Sequence, residues 1–383
     1  MAIHFSEQEL ASRRQRTCDA MGEAELDGML IFRQESMFYL TGYDTFGYVF
    51  FQCLYLGQDG AMTLLTRSAD LRQAQHTSVI EDIRIWVDGP DADPAHALAG
   101  ILEEHGQRSG RLGIEWEAYG LTARNGQRLA VALDGFCTTK DASELVSRLR
   151  VVKSPAEIAF VRRAAKLADD AYDEAINLTA PGTTEADILA AMQGAVLRGG
   201  GDYPGNEFVI GSGRDALLCR YYSGRRTLNA SDQLTLEWAG VYRHYHTAMM
   251  RTLAIGEPPA RQRALFDAAA DALEAVKALV KPSCTFGEAF DAHAQVLDKA
   301  GLGTHRLNAC GYSLGTTFAP NWMDWPMLFH GNPVAFEPGM VIFCHMIIFD
   351  SENGLAMTLG ETVLVSEAGH ERLSRSPLEF VVK

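Results

Sequence analysis

Over the first 150 residues, short apolar runs alternate with longer amphipathic stretches. Gly28–Phe32, Ala61–Leu65 and Leu112–Glu115 are brief and flanked by turn-forming residues, the pattern of strands buried within a sheet. Ser6 to Met21 is a polar, Arg-rich amphipathic segment, and Pro94 to His105 also reads as helix. Strands interleaved with helices predict a small α/β domain over residues 1–150.

A new rhythm starts at Lys153-Ser-Pro-Ala-Glu157. Ser154 is placed to cap a helix, Pro155 suits its first turn, and Glu157 completes a capping box. Beyond it, apolar spacing predicts helices at about 155–179 and 184–198, then strands at 206–212, 233–241 and 246–254. The order repeats with helices at about 259–281 and 286–301 and strands near 304–312, 340–349 and 360–366. Two helices followed by antiparallel strands, twice over, predict an α+β domain with pseudo-twofold symmetry across 151–383.

Composition narrows the function. Hydrophobic content of 47% and charged content of 22% are ordinary for a globular protein, and the net charge of −15 argues against nucleic acid or an anionic membrane as partner. Seven cysteines, odd in number and without C-x-x-C spacing, read as buried thiols of a reducing compartment rather than disulfides or zinc ligands. The first residues lack a basic segment followed by an apolar one, and no apolar run approaches the ~18 residues that span a bilayer. A cytoplasmic location is the expectation.

Several side chains stand out against this background. Glu237 follows the apolar run Leu234-Thr-Leu236, and beside Trp238 and Met249 its carboxylate would gain proton affinity, as a general base or nucleophile needs. A structural pairing with Arg251 or His246 is the alternative. Arg220 sits in an apolar run, Ala216-Leu-Leu-Cys-Arg220, where a forked cation suits an inward-held carboxylate. His244 and His246 flank Tyr245 in strand alternation and so are expected on one face, for hydrogen bonding or proton transfer more than for metal. His345 and Tyr312 offer an acid–base group and a hydroxyl donor. Trp322 and Asp324, in Asn321-Trp-Met-Asp-Trp-Pro326, suit a small cation through indole face and carboxylate. The Gly-rich stretch Gly199–Glu207 lacks phosphate-loop spacing and reads as a tight loop shaping a cleft.

Order and spacing of these segments resemble the pita-bread family of aminopeptidase P, prolidase, methionine aminopeptidase and creatinase. Arg150-x-x-Lys153-Ser-x-x-Glu157-Ile158 and Glu35–Tyr43 resemble elements of that family's two domains. The resemblance covers essentially the whole chain and implies an N-terminal creatinase-like α/β domain followed by a pita-bread catalytic domain. Most members hold two divalent metals with Asp, Asp, His, Glu and Glu. The matching positions here read Glu237, Ala248 (eleven residues on), Tyr312, His345 and Gly360. Ala and Gly supply no donor, so a metal cofactor is not expected.

The resemblance therefore implies metal-free cleavage of a C–N bond in a small zwitterion. Within the family the segments quoted above look most like ectoine hydrolases, which open the cyclic amidine of ectoine. It assigns catalysis to Glu237, His246, His345 and Tyr312, and substrate binding to Arg220, His244, Trp322, Asp324 and Tyr48. Tyr48 lies in the aromatic run Tyr43–Phe51, read either as a lid reaching a partner's site in a homodimer or as an ordinary buried strand. A creatinase-type enzyme for another amidine or guanidine, a peptidase with relocated ligands, and a non-catalytic binding module stay open at this point.

Overall fold

The computed structural model describes residues 3–218 and 224–383, and the chain divides into two compact units, Met1–Arg150 and Val151–Lys383. The N-terminal unit runs α1 (Glu7–Glu23), β1 (Gly28–Ile31), α2 (Gln34–Thr41), β2 (Cys53–Gly57), β3 (Met62–Arg67), α3 (Leu71–Thr77), β4 (Asp82–Trp86), α4 (Pro94–Glu104), β5 (Arg111–Ile114), α5 (Ala123–Leu133), β6 (Thr138–Asp141) and α6 (Leu145–Arg150). Its sheet has the order β4-β3-β2-β1-β5-β6, mixed in direction. Ser6 caps α1 through its side chain, which accepts from the Glu9 N–H. The buried Glu115 carboxylate does the same for the entry to α2, accepting from the Phe32 and Arg33 N–H groups at 3.0 and 2.9 Å and from the Ser36 hydroxyl at 2.6 Å.

The aromatic run Tyr43–Phe51 is not a strand. It contains a single 3₁₀ turn, Gly47–Val49, and the strand begins only at Cys53. Tyr48 is buried within this unit, and burial, with Glu35 nearby, pushes its hydroxyl up to about 12.

The C-terminal unit opens with α7 (Pro155–Leu178), whose capping box of Ser154 and Glu157 is present with both bonds made. Then follow α8 (Glu185–Arg198), β7 (Val209–Ser212), β8 (Asp232–Tyr242), β9 (Tyr245–Ile255), α9 (Ala260–Leu279), α10 (Phe286–Lys299), β10 (Gly311–Ser313), β11 (Asp324–Met327), β12 (Val341–Asp350), β13 (Leu355–Ser366) and β14 (Gly369–Arg372). The strands form one sheet in the order β11-β10-β12-β13-β9-β8-β7, with β14 pairing β13. Helix–helix–strand order thus repeats about β9 and β13, the two central strands. Residues 304–310, expected to be strand, are irregular apart from an isolated bridge of Arg306 with Ile348, and the strand covers Gly311–Ser313.

Strand alternation divides this sheet into two faces. One face packs on helices. The Trp238 indole N–H donates to Ala168 O at 2.8 Å and stacks on Tyr172, the Tyr245 hydroxyl donates to Glu157 at 2.7 Å, and Thr247 donates to Val161 O. A Cβ on Gly240 would lie 1.9 Å from Ala164 O, so α7 comes this close to β8 only over a residue without a side chain. Toward the other end, Ile342, Cys344, Met346, Met357, Leu359 and Val363 pack with Leu265, Ala269, Leu273 and Phe290 of α9 and α10 in one apolar core. The opposite face carries the chemistry.

Candidate functional site

Register places the positions matched to the family's metal ligands side by side. Val209 pairs with Glu237, Glu237 with Met250, Met250 with Gly360, and Gly360 with His345, so one row crosses five strands and its last four carry it from the carboxylate to the imidazole. In the adjoining row Ala239 pairs with Ala248, Thr362 donates to Ala248 O at 2.8 Å and pairs with Phe343, and Phe343 pairs with Tyr312. Directly paired residues share a face, and so do residues two apart. Glu237, Ala248, Tyr312, His345 and Gly360 therefore all belong to the same face.

Glu237 is half-buried. Its expected neighbours Trp238 and Met249 belong to the helix-facing side, a correction that follows from strand alternation. Its actual apolar neighbours across the strands are Val209 and Met250. At the other end, Tyr312, Phe343 and His345 form a ring cluster with centroid separations of 5.3–5.5 Å, and His345 is 7% exposed. The space that a side chain at Gly360 would take is filled by Phe343. A Cβ at Gly360 would stand 2.9 and 3.0 Å from two ring carbons of Phe343.

His246 is also on this face, but it is fully buried and both ring nitrogens are engaged. Nε2 accepts the Gly205 N–H at 2.8 Å, so the proton resides on Nδ1, which lies 2.9 Å from His244 O and 3.1 Å from the Thr317 hydroxyl. Burial first, and then the charge of His244, lowers it to about 3. A neutral imidazole locked in this way is a strut. His244 does not share its face: Arg243 and His244 form the two-residue hairpin turn between β8 and β9 at positive φ, 54° and 64°. The His244 ring stacks on Phe318 at 4.3 Å, and the His244 backbone N–H donates to Asp202 Oδ2 at 3.2 Å.

Trp322 is 1% exposed, so it offers no open indole face to a cation; its N–H donates to the Tyr312 hydroxyl oxygen at 2.9 Å. Asp324 lies near a protein cation already. A Cβ at Gly315 would be 3.2 Å from Asp324 Oδ2 and 3.4 Å from Lys153 Nζ, a buried ammonium that also donates to Val151 O. Arg220 lies outside the described residues. Tyr48 belongs to the N-terminal unit.

The donor set does not fit a two-metal cluster. Ala248 and Gly360 have nothing to give, Tyr312 is tied to Trp322, and no group of three or more His, Cys, Asp or Glu is assembled for a metal among the described residues. Glu361, next to Gly360, cannot substitute. It faces the helices, fully buried, at 2.7 Å from Lys277 Nζ and paired with Arg372.

Sequence reasoning missed Phe343, Thr317 and Gly205. Phe343 looks like any apolar strand residue, and its role depends on Gly360, seventeen positions away. Gly205 carried a signal, as part of the Gly-rich stretch. A Cβ there would meet Asn321 O at 2.9 Å, which shows the loop closing on the Trp322 segment.

Comparison with known proteins agrees with this frame. Residues 159–367 match metallopeptidase family M24, and residues 13–152 match the Creatinase/Prolidase N-terminal domain. An uncharacterized hydrolase/peptidase of Sinorhizobium fredii is 28% identical, and the ectoine hydrolase of Halomonas elongata 27%, each over 100% of this chain and 99% of the relative. In fold, the prolidase of Thermococcus sibiricus superposes with a TM-score of 0.88 at 18% identity, covering 99% of this chain and 100% of that one. The two domain matches, in this order and spanning nearly the whole sequence, make the chain a member of metallopeptidase family M24 with a creatinase/prolidase-type N-terminal domain, a hydrolase family.

Proposed function

We propose that this protein is a metal-independent hydrolase that opens the cyclic amidine of a small zwitterion, ectoine, to N-acetyl-diaminobutyrate. The observation that carries the reading is the row from Glu237 to His345. A carboxylate and an imidazole flank a Met–Gly floor at positions where family relatives carry metal ligands. The similarity to an ectoine hydrolase over the full length supports the substrate.

In the proposed reaction the Glu237 carboxylate faces the delocalised amidinium. It takes a proton from the water that adds to the amidine carbon, or adds there itself, in which case water displaces it after ring opening and the Glu237–carbon bond breaks to return the carboxylate. The ring C–N bond then breaks, its electron pair stays with nitrogen, and that nitrogen takes a proton from His345. Water is consumed and the acetamide remains. His345 is preferred to His246 because both nitrogens of His246 already serve the fold. His244, on the hairpin turn and stacked on Phe318, is set aside for this step. Working as a cytoplasmic homodimer is part of the same proposal; no helix among the described residues is long and apolar enough to cross a membrane.

The test is incubation of the purified protein with ectoine, followed by proton NMR. Appearance of the ring-opened acetamide, undiminished by a chelator, is the expected result. No product, or product abolished by chelation, rejects the proposal. Guanidine substrates in the same assay separate the creatinase-type alternative.

A further inference from the structure

Tyr312 and Trp322 are ten residues apart, on a strand and on the loop that follows it, and they meet through a single polar contact. Indole N–H is only a donor, whereas a phenol both donates and accepts, so the direction of this bond is fixed: Trp322 gives and Tyr312 receives. With the indole proton directed at its oxygen, the Tyr312 O–H is oriented away from Trp322, and it meets an acceptor such as a carboxylate as the donor.

The surrounding bonds hold Trp322 in place. Its backbone N–H donates to Asn206 Oδ1 at 3.3 Å, and its carbonyl accepts from the Thr317 hydroxyl at 3.5 Å. Thr317 in turn lies against His246, which holds the Gly205 N–H. The Gly-rich loop, the His246 strut and the Trp322 segment thus form one bracket whose product is the orientation of the Tyr312 hydroxyl. Tyr312 lies beside His345 and on the face of Glu237, the place where a substrate atom adjoining the opened C–N bond would lie.

We infer that Trp322 is a positioning residue, which fixes Tyr312 as a hydrogen-bond donor to the carboxylate of the zwitterionic substrate. This rests on the proposed function above and adds the group that recognises the anionic end. Tyr312 selects for a ligand bearing a carboxylate next to the amidine, and Trp322 acts only through it.

The experiment is calorimetry with ectoine and with its decarboxylated cyclic amidine on wild type, Trp322→Phe, Tyr312→Phe and the double variant. Each single change should weaken ectoine roughly tenfold, the double change no further, and the decarboxylated ring should bind all four alike. Additive losses, or equal losses for both ligands, overturn the inference. Replacement of Trp322 by β-(3-benzothienyl)alanine, which keeps the shape and lacks the N–H, gives the same comparison if the phenylalanine variant folds poorly. On the free protein, fluorine NMR of 3-fluorotyrosine at position 312 should show its ionisation moving up by about one unit when the indole N–H is removed. No movement overturns the positioning role. Movement without ectoine binding keeps that role and overturns the substrate reading.

Discussion

The ring of Phe343 lies where a side chain at Gly360 would lie, with two of its carbons 2.9 and 3.0 Å from the position of the missing Cβ. Phe343 is fully buried, between Tyr312 and His345, so it has little room to retreat. Gly360→Ala should therefore destabilise the protein by about 1–3 kcal/mol, as overpacking of a close-fitting core does. Urea unfolding checks this. Phe343→Leu in the same chain should recover part of the loss, since it removes the atoms that collide.

Glu237→Gln keeps the size of the side chain and removes its charge and basicity. Turnover of ectoine should fall by about 10²–10⁴, the usual contribution of a positioned acid–base group, while folding is unchanged. Steady-state rates with a parallel thermal melt test it; an unchanged rate would remove Glu237 from the mechanism.

His246 predicts the response to acid. Its folded value of about 3 lies below the ordinary 6.5, so the neutral ring is the form that the fold favours. The stability it contributes is complete above pH 6.5 and is lost as pH falls toward 3, by on the order of 4 kcal/mol. His293, lowered to about 4 by burial and then by Arg306, adds to the same loss. Chemical denaturation from pH 7 to pH 4 should show a falling midpoint, less steep in His246→Gln. A midpoint independent of pH would contradict the buried, neutral assignment.

Glu361 is a structural anion. Glu361→Ala removes the 2.7 Å buried partner of the Lys277 ammonium, which keeps Glu274 at 2.6 Å, and should cost about 1–3 kcal/mol. A thermal melt reads this directly. Glu361→Ala should not change the metal content, because the carboxylate faces the helices.

The sequence made the architecture legible where apolar spacing was long and regular. Ser154-Pro-Ala-Glu157 announced α7, and the runs around Glu237 and Ala248 located the central strands to within a residue or two. Reading failed where geometry depends on distant partners. Arg243-His244 lacks the Asn-Gly signature of a hairpin turn, so alternation was carried through it and His244 was assigned to a strand face. Trp322 reads as an aromatic platform until its N–H is seen to reach Tyr312. Phe46, Val49 and Phe50 look like strand residues, yet all three are exposed around a 3₁₀ turn. Of the site, the five aligned positions were legible only through the resemblance to the pita-bread family, whose ligand spacing they match. What fills the gap at Gly360 was not, because a buried phenylalanine carries no chemical signature.

The adjacency of Gly360 and Glu361 reaches beyond this chain. A carboxylate stands one position from Gly360, yet it is turned through half a pleat and paired from behind by Lys277 and Arg372. Anyone aligning homologues and tallying acids could score such a protein as metal-ready. Orientation relative to the pleat, rather than the presence of the letter E, decides which side of the sheet such a carboxylate can serve.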